Sequence, residues 1–347
     1  MARTDLPSAS DGAVERKALP ETADREVLRR RLERLPPGHL SSPTADDGVD
    51  REPDQSESAV RGRDFPDASP TEDEDRRTLT DAEHAERVQL IRERLDWARQ
   101  EGLATDNRYL DEEGIWSRER QDAHDAIVND FCEAAASVPS ERQAIMAGGL
   151  GGAGKSTVLD SYANVDQSRY LKINPDDIKE AMAARGLIPE LDGLSPMEAS
   201  DLVHEESSAV AYQLADRAMK DGKNVIWDIT MSSPNSALRR LEDLADEGYS
   251  TRGVFVDIPI DVAVERADAR HRIGHEDFRA GLGFGGRYVP PEVIKAQTDE
   301  DWGSVNRRTF EEVKSSFTEW RVYDNSVTGR EPQLVEASPG WNVEEER

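Results

Sequence analysis

The hydrophobic pattern of the chain becomes regular only after residue 79. Thr80-Asp-Ala-Glu83 has the spacing of a capping box, and the apolar residues behind it, from Val88 to Ala98, recur at helical intervals. A second helix is predicted from residue 117 to about residue 136, because Ile127, Val128 and Phe131 fall on one helical face. The two patterns predict a helical lead-in over residues 80–140.

From residue 141 onward, short apolar stretches alternate with helical patterns. The predicted strands are residues 143–149, 170–174, 224–229, 253–258 and, more weakly, 320–323. A long helix is predicted directly behind Ser195-Pro-Met-Glu198, which combines capping-box spacing with proline at the first helical position. Strands that alternate with helices predict an α/β fold, a three-layer sandwich in which helices cover both faces of a mostly parallel sheet.

Residues 1–79 have a different composition: they hold eight of the eighteen prolines, one aromatic residue and no isoleucine. Such a segment buries too little apolar surface to offset its ordering entropy, which predicts a mostly disordered, acidic, proline-rich tail before a domain over residues 80–347. Within the tail, residues 23–35 place apolar side chains at helical spacing. They predict either a transient helix or one that docks on the domain and inhibits it, and the pattern leaves both open.

The charge balance excludes several classes of protein. The chain has 44 basic and 72 acidic residues, a net charge of −28, which argues against binding to nucleic acid or to anionic membranes. A single cysteine, Cys132, fits a reducing compartment and is expected to be a small buried residue on the second helix. With no long apolar run and no apolar stretch at the N-terminus, a cytoplasmic location is expected.

The strongest chemical signal is Gly149-Leu-Gly-Gly-Ala-Gly-Lys-Ser156, which matches the phosphate-binding loop G-x-x-x-x-G-K-[ST] between a predicted strand and a predicted helix. Lys155 is expected to reach the β- and γ-phosphates of ATP, and the Ser156 hydroxyl to ligate Mg²⁺. ATP and Mg²⁺ are therefore the expected cofactors. The expected ATP-binding residues are Gly149, Leu150, Gly151, Gly152, Ala153, Gly154, Lys155, Ser156 and Thr157.

The residues after the third predicted strand favour a small-molecule kinase. The chain lacks the N-K-x-D motif of GTPases and the paired acids that end a strand in ATP-hydrolysing motors. Instead the strand ends in Trp227-Asp228-Ile229-Thr230, which places one acid at the end of the sheet where open α/β folds bind their ligands. Asp228 and Thr230 are therefore candidate substrate-binding residues. Glu205 on the long acidic helix is a third candidate, although surface charge is the default explanation for an acid at this position.

A kinase also needs a carboxylate for the acceptor hydroxyl and positive charge for the transferred group. One of the adjacent acids Asp176 and Asp177, in Asn174-Pro-Asp-Asp177, is the candidate for this carboxylate, and capping of the next helix is a second role that does not exclude the first. Five arginines and five glycines over residues 266–287 predict a mobile lid over residues 261–290, or else a solvated helix face paired with nearby acids. His271 and His275 lack the intervening glutamate of a zinc motif, so no zinc site is expected.

The order of these motifs resembles the zeta toxin family of P-loop kinases over about residues 86–336. The motifs beyond the P-loop that carry the resemblance are Ile173-Asn-Pro-Asp-Asp-Ile-Lys179, Asn224-Val-Ile-Trp-Asp-Ile-Thr230, Val264-Glu-Arg266 and Arg287-Tyr-Val-Pro290. The resemblance implies a P-loop kinase fold, with a nucleotide-binding core over residues 141–260 and C-terminal helix and strands over residues 291–347. It implies a toxin that phosphorylates a sugar hydroxyl of UDP-N-acetylglucosamine or a related UDP-sugar, paired with an antitoxin protein or restrained by an N-terminal segment.

By the same resemblance, Lys155, Asp176, Arg266 and Arg287 are the catalytic residues, with the two arginines on the transferred phosphoryl group. Two positions depart from the family: Asp228 replaces a more usual glutamate, and Asn174 stands where an aspartate is common. Three functions therefore stay open: a UDP-amino-sugar kinase, a kinase of another small molecule such as a nucleotide, dinucleotide or antibiotic, and a non-catalytic nucleotide-binding module.

Overall fold

A computed structural model describes residues 78–339, and a six-stranded sheet lies at its centre. In chain order the strands are β1 (Gln143–Gly148), β2 (Leu171–Ile173), β3 (Val225–Asp228), β4 (Ser250–Asp257), β5 (Thr298–Asp299), β6 (Gly303–Ser304), β7 (Glu319–Asp324) and β8 (Gln333–Ala337). The sheet order is β2-β3-β1-β4-β7-β8, while β5 and β6 form a separate antiparallel pair. All neighbours in the sheet are parallel except β7 and β8, so the predicted mostly parallel sheet is confirmed.

Helices cover both faces of this sheet, as the alternating pattern predicts. They are α1 (Asp81–Gln100), α2 (Thr105–Tyr109), α3 (Arg118–Ala134), α4 (Lys155–Ser161), α5 (Pro175–Ala184), α6 (His204–Lys220), α7 (Pro234–Asp246), α8 (Ile260–Arg279), α9 (Pro291–Lys295) and α10 (Val305–Val313). Val225 and Trp227 of β3 join an apolar cluster with α3, α5 and α6, whereas Ile226 between them joins a cluster with α4 and α8. The alternation of a pleated strand thus builds two separate cores, one on each face.

The predicted capping box at Thr80 is present at the start of α1. The Thr80 hydroxyl accepts from the backbone N–H of Glu83, and the Glu83 carboxylate accepts from the backbone N–H of Thr80. Residues 110–116 group apart from the rest of the described chain, and within them Leu110 pairs with Trp116 as an antiparallel bridge. Residues 1–77 of the predicted tail, which include its candidate helix at 23–35, lie outside the described residues. Between residues 78 and 339, no helix has both the length and the apolar character needed to cross a membrane.

The prediction for the long helix was wrong in its starting point. The backbone N–H of Ser195 donates to the Glu198 carboxylate at 2.8 Å, which is one half of a capping box. The Ser195 hydroxyl, however, also donates to that carboxylate at 2.8 Å, and the backbone N–H of Glu198 donates to the Ser195 carbonyl oxygen at 3.1 Å, which closes a turn. A 3₁₀ turn over Ser200–Val203 follows, and α6 begins only at His204. The reason is tertiary: the Glu198 carboxylate is fully buried and is shared with side chains from two distant helices, so it does not serve a helix of its own.

Glu198 joins the turn at 195–198 to α1 and α8. Arg87 of α1 donates from Nε to Oε1 of Glu198 at 2.8 Å and also from Nη2 to Oε2. From α8, His271 Nε2 and His275 Nδ1 each lie 3.2 Å from Oε1. Burial alone would raise the pKa of Glu198, but the hydrogen bonds from His271, His275 and Arg87 outweigh it and hold the pKa far below its usual range.

Replacing Glu198 should therefore change how stability depends on pH. A carboxyl whose pKa is lower in the folded state than in the unfolded state stabilises the fold above the unfolded pKa, and this contribution is lost as the pH falls. We expect Glu198→Gln to destabilise the protein at neutral pH by about 3 kcal/mol, because Arg87 loses its buried partner. We also expect a flatter decline in stability than in wild type between about pH 5 and pH 3.

Urea unfolding at several pH values measures both effects. Glu190→Gln is the matched control, since Glu190 is an exposed glutamate of the same connection. Equal pH slopes in wild type and Glu198→Gln would contradict this account.

Candidate active site

The loop between β1 and α4 curls tightly at its glycines. Gly149, Gly152 and Gly154 have φ angles of 138°, 84° and 84°, in the region that side chains disfavour. A Cβ on Gly149 would lie 2.3 Å from the carbonyl oxygen of Val256, and one on Gly154 would lie 2.6 Å from Nδ2 of Asn325. The loop therefore needs glycine at both positions, and its backbone leads directly into the N-terminus of α4, a favourable place for an anion.

Lys155, the first residue of α4, points back over this loop. Its ammonium group donates to the carbonyl oxygens of Gly149 at 3.1 Å and Leu150 at 3.4 Å, and it lies 3.5 Å from Oδ1 of Asp228. Burial lowers the pKa of Lys155, and the charge of Asp228 opposes the shift. The parallel register pairs Ala147 of β1 with Asp228 of β3, so Asp228 lies beside the end of β1, from which the P-loop leads to Lys155.

The remaining predicted ATP-binding residues form the loop and the first turn of α4. Leu150 and Ala153 are buried in the loop, whereas Ser156 and Thr157 are exposed on the helix. Ser156 thus presents a hydroxyl group at the helix N-terminus. A hydroxyl in this position fits Mg²⁺, an ion that takes few protein ligands and completes its shell with phosphate oxygens and water.

Asn174, rather than either of the two following acids, caps α5. Its Oδ1 accepts from the backbone N–H of Asp176 at 2.9 Å, and its Nδ2 donates to Oδ2 of Asp228 at 3.2 Å. The capping role considered for the acids is therefore filled by their neighbour. The carboxylate of Asp176 is left for other partners at the carboxyl end of the sheet.

Asp176 is held by positive charge through one of its oxygens. Arg287 donates from Nη1 to Oδ1 at 2.5 Å, and Lys179 lies 3.7 Å from the same oxygen. Oδ2 accepts no hydrogen bond from any residue between 78 and 339. Burial lowers the pKa of Lys179, and the charge of Asp176 opposes this shift. The carboxylate is thus oriented by its partners while one oxygen stays available.

A second lysine links the two acidic positions of the site. Lys172 of β2 lies 3.2 Å from Oδ2 of Asp177 and 3.7 Å from Oδ2 of Asp228. Burial raises the pKa of Asp177, and the charge of Lys172 works against this shift. Cations and carboxylates therefore alternate across the carboxyl ends of β1, β2 and β3, a local balance that the net charge of the chain does not reveal.

Arg266 and Arg270, both on α8, have different surroundings. Arg266 donates to the backbone oxygens of Gly152 at 3.4 Å and Asn325 at 2.9 Å, so it lies against the P-loop. Burial lowers the pKa of Arg270, one turn later; the charge of Arg287 adds to this shift, and the charges of Asp176 and Asp228 oppose it. The family resemblance points to Arg266 rather than Arg270, and because residues four apart share one helix face, spacing alone does not rank the two.

Asn325, which follows β7, is a further residue that the sequence did not reveal. Its Nδ2 donates to the carbonyl oxygen of Ala153 at 2.7 Å and fills the space that a side chain on Gly154 would occupy. It therefore braces the P-loop from the far end of the sheet. A lone asparagine after a weakly patterned strand carries no recognisable motif, so no local signal could have identified it.

The predicted lid, residues 261–290, consists mostly of α8, followed by a loop. A Cβ on Gly274 would lie 2.5 Å from the Cα of Gly286, so these glycines allow two segments to pack closely. The carbonyl oxygen of Phe284 accepts from the backbone N–H of Met197 at 3.0 Å, which ties the loop to the turn that holds Glu198. Arg287 is thus supplied to Asp176 by a loop anchored on both sides.

Other candidates from the sequence lie apart from the cluster. Glu205 is exposed on the first turn of α6 and makes no hydrogen bond or ion pair with another described residue, whereas Glu206 is buried against Arg120 and His124. Thr230 is exposed in the loop after β3, beside Asp228. His271 and His275 bind Glu198, and residues 78–339 contain no group of three side chains suited to a metal ion. Cys132 is half-buried on α3, where burial raises its pKa.

Residues 131–328, more than half of the chain, match the family model described as zeta toxin. The matched region contains the P-loop, Asn174 to Asp177 and Asp228, and the arginines Arg266, Arg270 and Arg287. The chain belongs to the zeta toxin family of P-loop kinases. The resemblance drawn from the motifs is confirmed, together with the P-loop kinase fold that it implies.

Two further comparisons describe the relatives of this zeta-family chain. The AvrRxo1-ORF1:AvrRxo1-ORF2 complex with sulphate ions shares its fold, with a TM-score of 0.50 and 16% identity over 65% of this chain and 69% of that chain. A chain of the PezAT chromosomal toxin-antitoxin system of Streptococcus pneumoniae aligns at a TM-score of 0.46 with 14% identity, over 64% of this chain and 83% of that chain. The calmodulin calcium-dependent NAD kinase of Arabidopsis thaliana is 34% identical over 99 residues, which cover 25% of this chain and only 17% of the plant protein.

The P-loop geometry generates a direct stability test. Gly154→Ala should destabilise the protein by about 1–2 kcal/mol, because the alanine backbone would have to adopt a left-handed conformation and its Cβ would crowd Asn325. Gly151→Ala is the matched control, since a Cβ there meets nothing within 4 Å. Thermal and urea unfolding of both variants measure the difference, and equal stabilities would show that the loop does not impose this strain.

Proposed function

We propose that this protein is an ATP-dependent kinase that transfers the γ-phosphate to a hydroxyl group of a small nucleotide-containing molecule. The observation that carries the proposal is the position of Asp176: its carboxylate is free of the capping role, oriented by Arg287, and lies at the same edge of the sheet as Lys155 and Asp228. A phosphate cradle and an oriented carboxylate together are what phosphoryl transfer to a hydroxyl requires.

In this proposal the P-loop backbone and Lys155 bind the phosphates of ATP. When bound, Mg²⁺ would neutralise part of the phosphate charge, and the Ser156 hydroxyl is the group of this chain placed to hold it. Oδ2 of Asp176 accepts the proton of the acceptor hydroxyl while the oxygen of that hydroxyl bonds to the γ-phosphorus. The bond from that phosphorus to the β,γ-bridging oxygen breaks, and ADP leaves. Arg270 and Arg287 supply positive charge beside the transferred group.

The acceptor is the part of the proposal in which two candidates remain. The family resemblance favours a UDP-N-acetyl amino sugar and a role as a toxin whose partner is an antitoxin, acting in the cytoplasm. The match to a plant NAD kinase favours NAD, and the shorter acid Asp228 at the acceptor side is compatible with a pocket that differs from the usual one. Both candidates contain a nucleoside diphosphate. A transfer assay that offers each of them separately shows which one accepts the phosphate.

The proposed base is tested by Asp176→Asn. Removing the proton acceptor while keeping the shape should lower kcat by about a hundredfold or more, with ATP affinity changed by less than about twofold. Transfer of labelled γ-phosphate from Mg-ATP to UDP-N-acetylglucosamine and to NAD is measured in parallel with ATP binding. Asp177→Asn is the matched control, because its carboxylate pairs with Lys172.

Labelling of one acceptor by wild type alone supports the kinase and names its substrate class. A protein that binds ATP but labels neither acceptor would favour the non-catalytic module, and equal activity of Asp176→Asn and wild type would remove Asp176 from the mechanism.

The arginines of α8 give a second test. We expect Arg270→Gln to lower kcat by about tenfold to a hundredfold, because its charge lies with those of Asp176 and Asp228. Arg266→Gln should instead raise the KM for ATP, since Arg266 contacts the P-loop backbone. Steady-state kinetics with ATP and acceptor varied separately measure the two effects. A loss of kcat in Arg266→Gln with no loss in Arg270→Gln would contradict this expectation and support Arg266 as the catalytic arginine, as the family resemblance implies.

A further inference from the structure

The loop after β3, residues 229–233, is held at two points by the sheet itself; we call it the acceptor loop. The backbone N–H of Ile229 donates to the carbonyl oxygen of Ala147 at 3.0 Å. Met231 has a φ of 57°, unusual for its residue type, and its buried side chain lies on Gly148, where a Cβ would come within 2.4 Å of the sulfur. Thr230, exposed between these two anchors, is therefore carried by a strained and closely fitted turn.

A third anchor comes from a distant part of the chain. Asn306, in the first turn of α10, is fully buried, and its Nδ2 donates to the carbonyl oxygen of Thr230 at 2.7 Å and to Oε1 of Gln297 at 3.0 Å. Both partners are oxygen acceptors, which fixes the orientation of the amide, because the reverse orientation would face oxygen against oxygen. Asn306 thus uses both of its donor hydrogens to hold the acceptor loop and the segment before β5.

The helix that carries Asn306 is itself firmly placed. The Ser304 hydroxyl caps α10 by accepting from the backbone N–H of Arg307 at 3.1 Å. Phe310 on the same helix is fully buried, with its ring centroid 5.0 Å from that of Phe255 in β4. The contact to Thr230 is therefore made from a rigid support and transmits the position of α10 to the acceptor loop.

We propose that Asn306 is a positioning residue for phosphoryl transfer. By holding the Thr230 carbonyl, it sets the acceptor loop beside Asp228 and so controls how the acceptor binds, without touching ATP or the acceptor. The inference rests on the proposed function, in which the acceptor lies at Asp228 and Thr230. A residue with a merely structural role would weaken the whole fold and affect ATP and acceptor alike.

Asn306→Asp tests the proposal with almost no change in shape. Ionised, the new side chain faces the oxygens of Thr230 and Gln297 and repels both; protonated, it donates again. At about pH 8 we expect the acceptor KM to rise about tenfold with ATP affinity unchanged, and a lower pH to restore acceptor binding relative to wild type. Hydrogen exchange of residues 229–233 in the full chain should be faster in the variant at pH 8 than in wild type.

Thr309→Val is the matched control, because Thr309 is fully buried on the same helix and its hydroxyl makes no hydrogen bond with another described residue. It should leave acceptor KM and exchange of the acceptor loop as in wild type. If Asn306→Asp does not fold, as judged by circular dichroism and thermal unfolding, Asn306→Ala removes the donor without adding a charge and takes its place in the same measurements.

A rise in acceptor KM and faster loop exchange, with ATP binding retained, support the proposal. Unchanged exchange of the acceptor loop, or equal losses for ATP and acceptor, would overturn it. If wild type binds ATP but transfers phosphate to neither UDP-N-acetylglucosamine nor NAD, the proposed function fails with these acceptors. In that case the exchange measurement alone decides whether Asn306 holds the loop.

Discussion

The site depends on the burial of one ammonium group. Lys155 is taken out of water beside two backbone carbonyls, which lowers its pKa, and Asp228 is the carboxylate that opposes this cost. Asp228 also receives Asn174 and lies near Lys172, so one short side chain connects β1, β2 and β3 at their carboxyl ends. Asp228 is therefore engaged by three neighbouring side chains. The parallel order of the strands makes the arrangement available, and the charges stabilise it.

A second charge cluster, centred on Glu198, supports the first from outside. Glu198 is enclosed by Arg87, His271 and His275, and every contact is made within the protein, as expected of a buried carboxylate. By tying α8 to α1 and to the turn at 195–198, it fixes the helix that carries Arg270 and the loop that carries Arg287. Asp176 contrasts with Glu198, because its described partners contact one oxygen and leave the other free, as the proposed base requires.

Two residues far along the chain support the P-loop and the acceptor loop. Asn325, after β7, supports the P-loop at Ala153, and Asn306, on α10, supports the acceptor loop at Thr230. In each case an asparagine amide donates to a backbone carbonyl of a glycine-dependent or strained turn. Such turns store conformational strain that their own residues do not relieve, so the surrounding fold must hold them in place. These two asparagines, both after residue 300, therefore contribute to the site by holding its loops.

The sequence by itself determined the elements whose causes are local. The capping box at Thr80, the alternating pattern of the strands, and the glycines of the P-loop each depend on residues a few positions apart, and the zeta toxin family followed from their order. Only the tertiary structure decided that Arg287 donates to Asp176, that Glu198 closes a turn before α6, and that Asn174 rather than Asp176 caps α5 while also reaching Asp228. These outcomes depend on which distant charges share a buried space. The free energy of a buried charge is set by its partners in three dimensions, and spacing along the chain does not specify them.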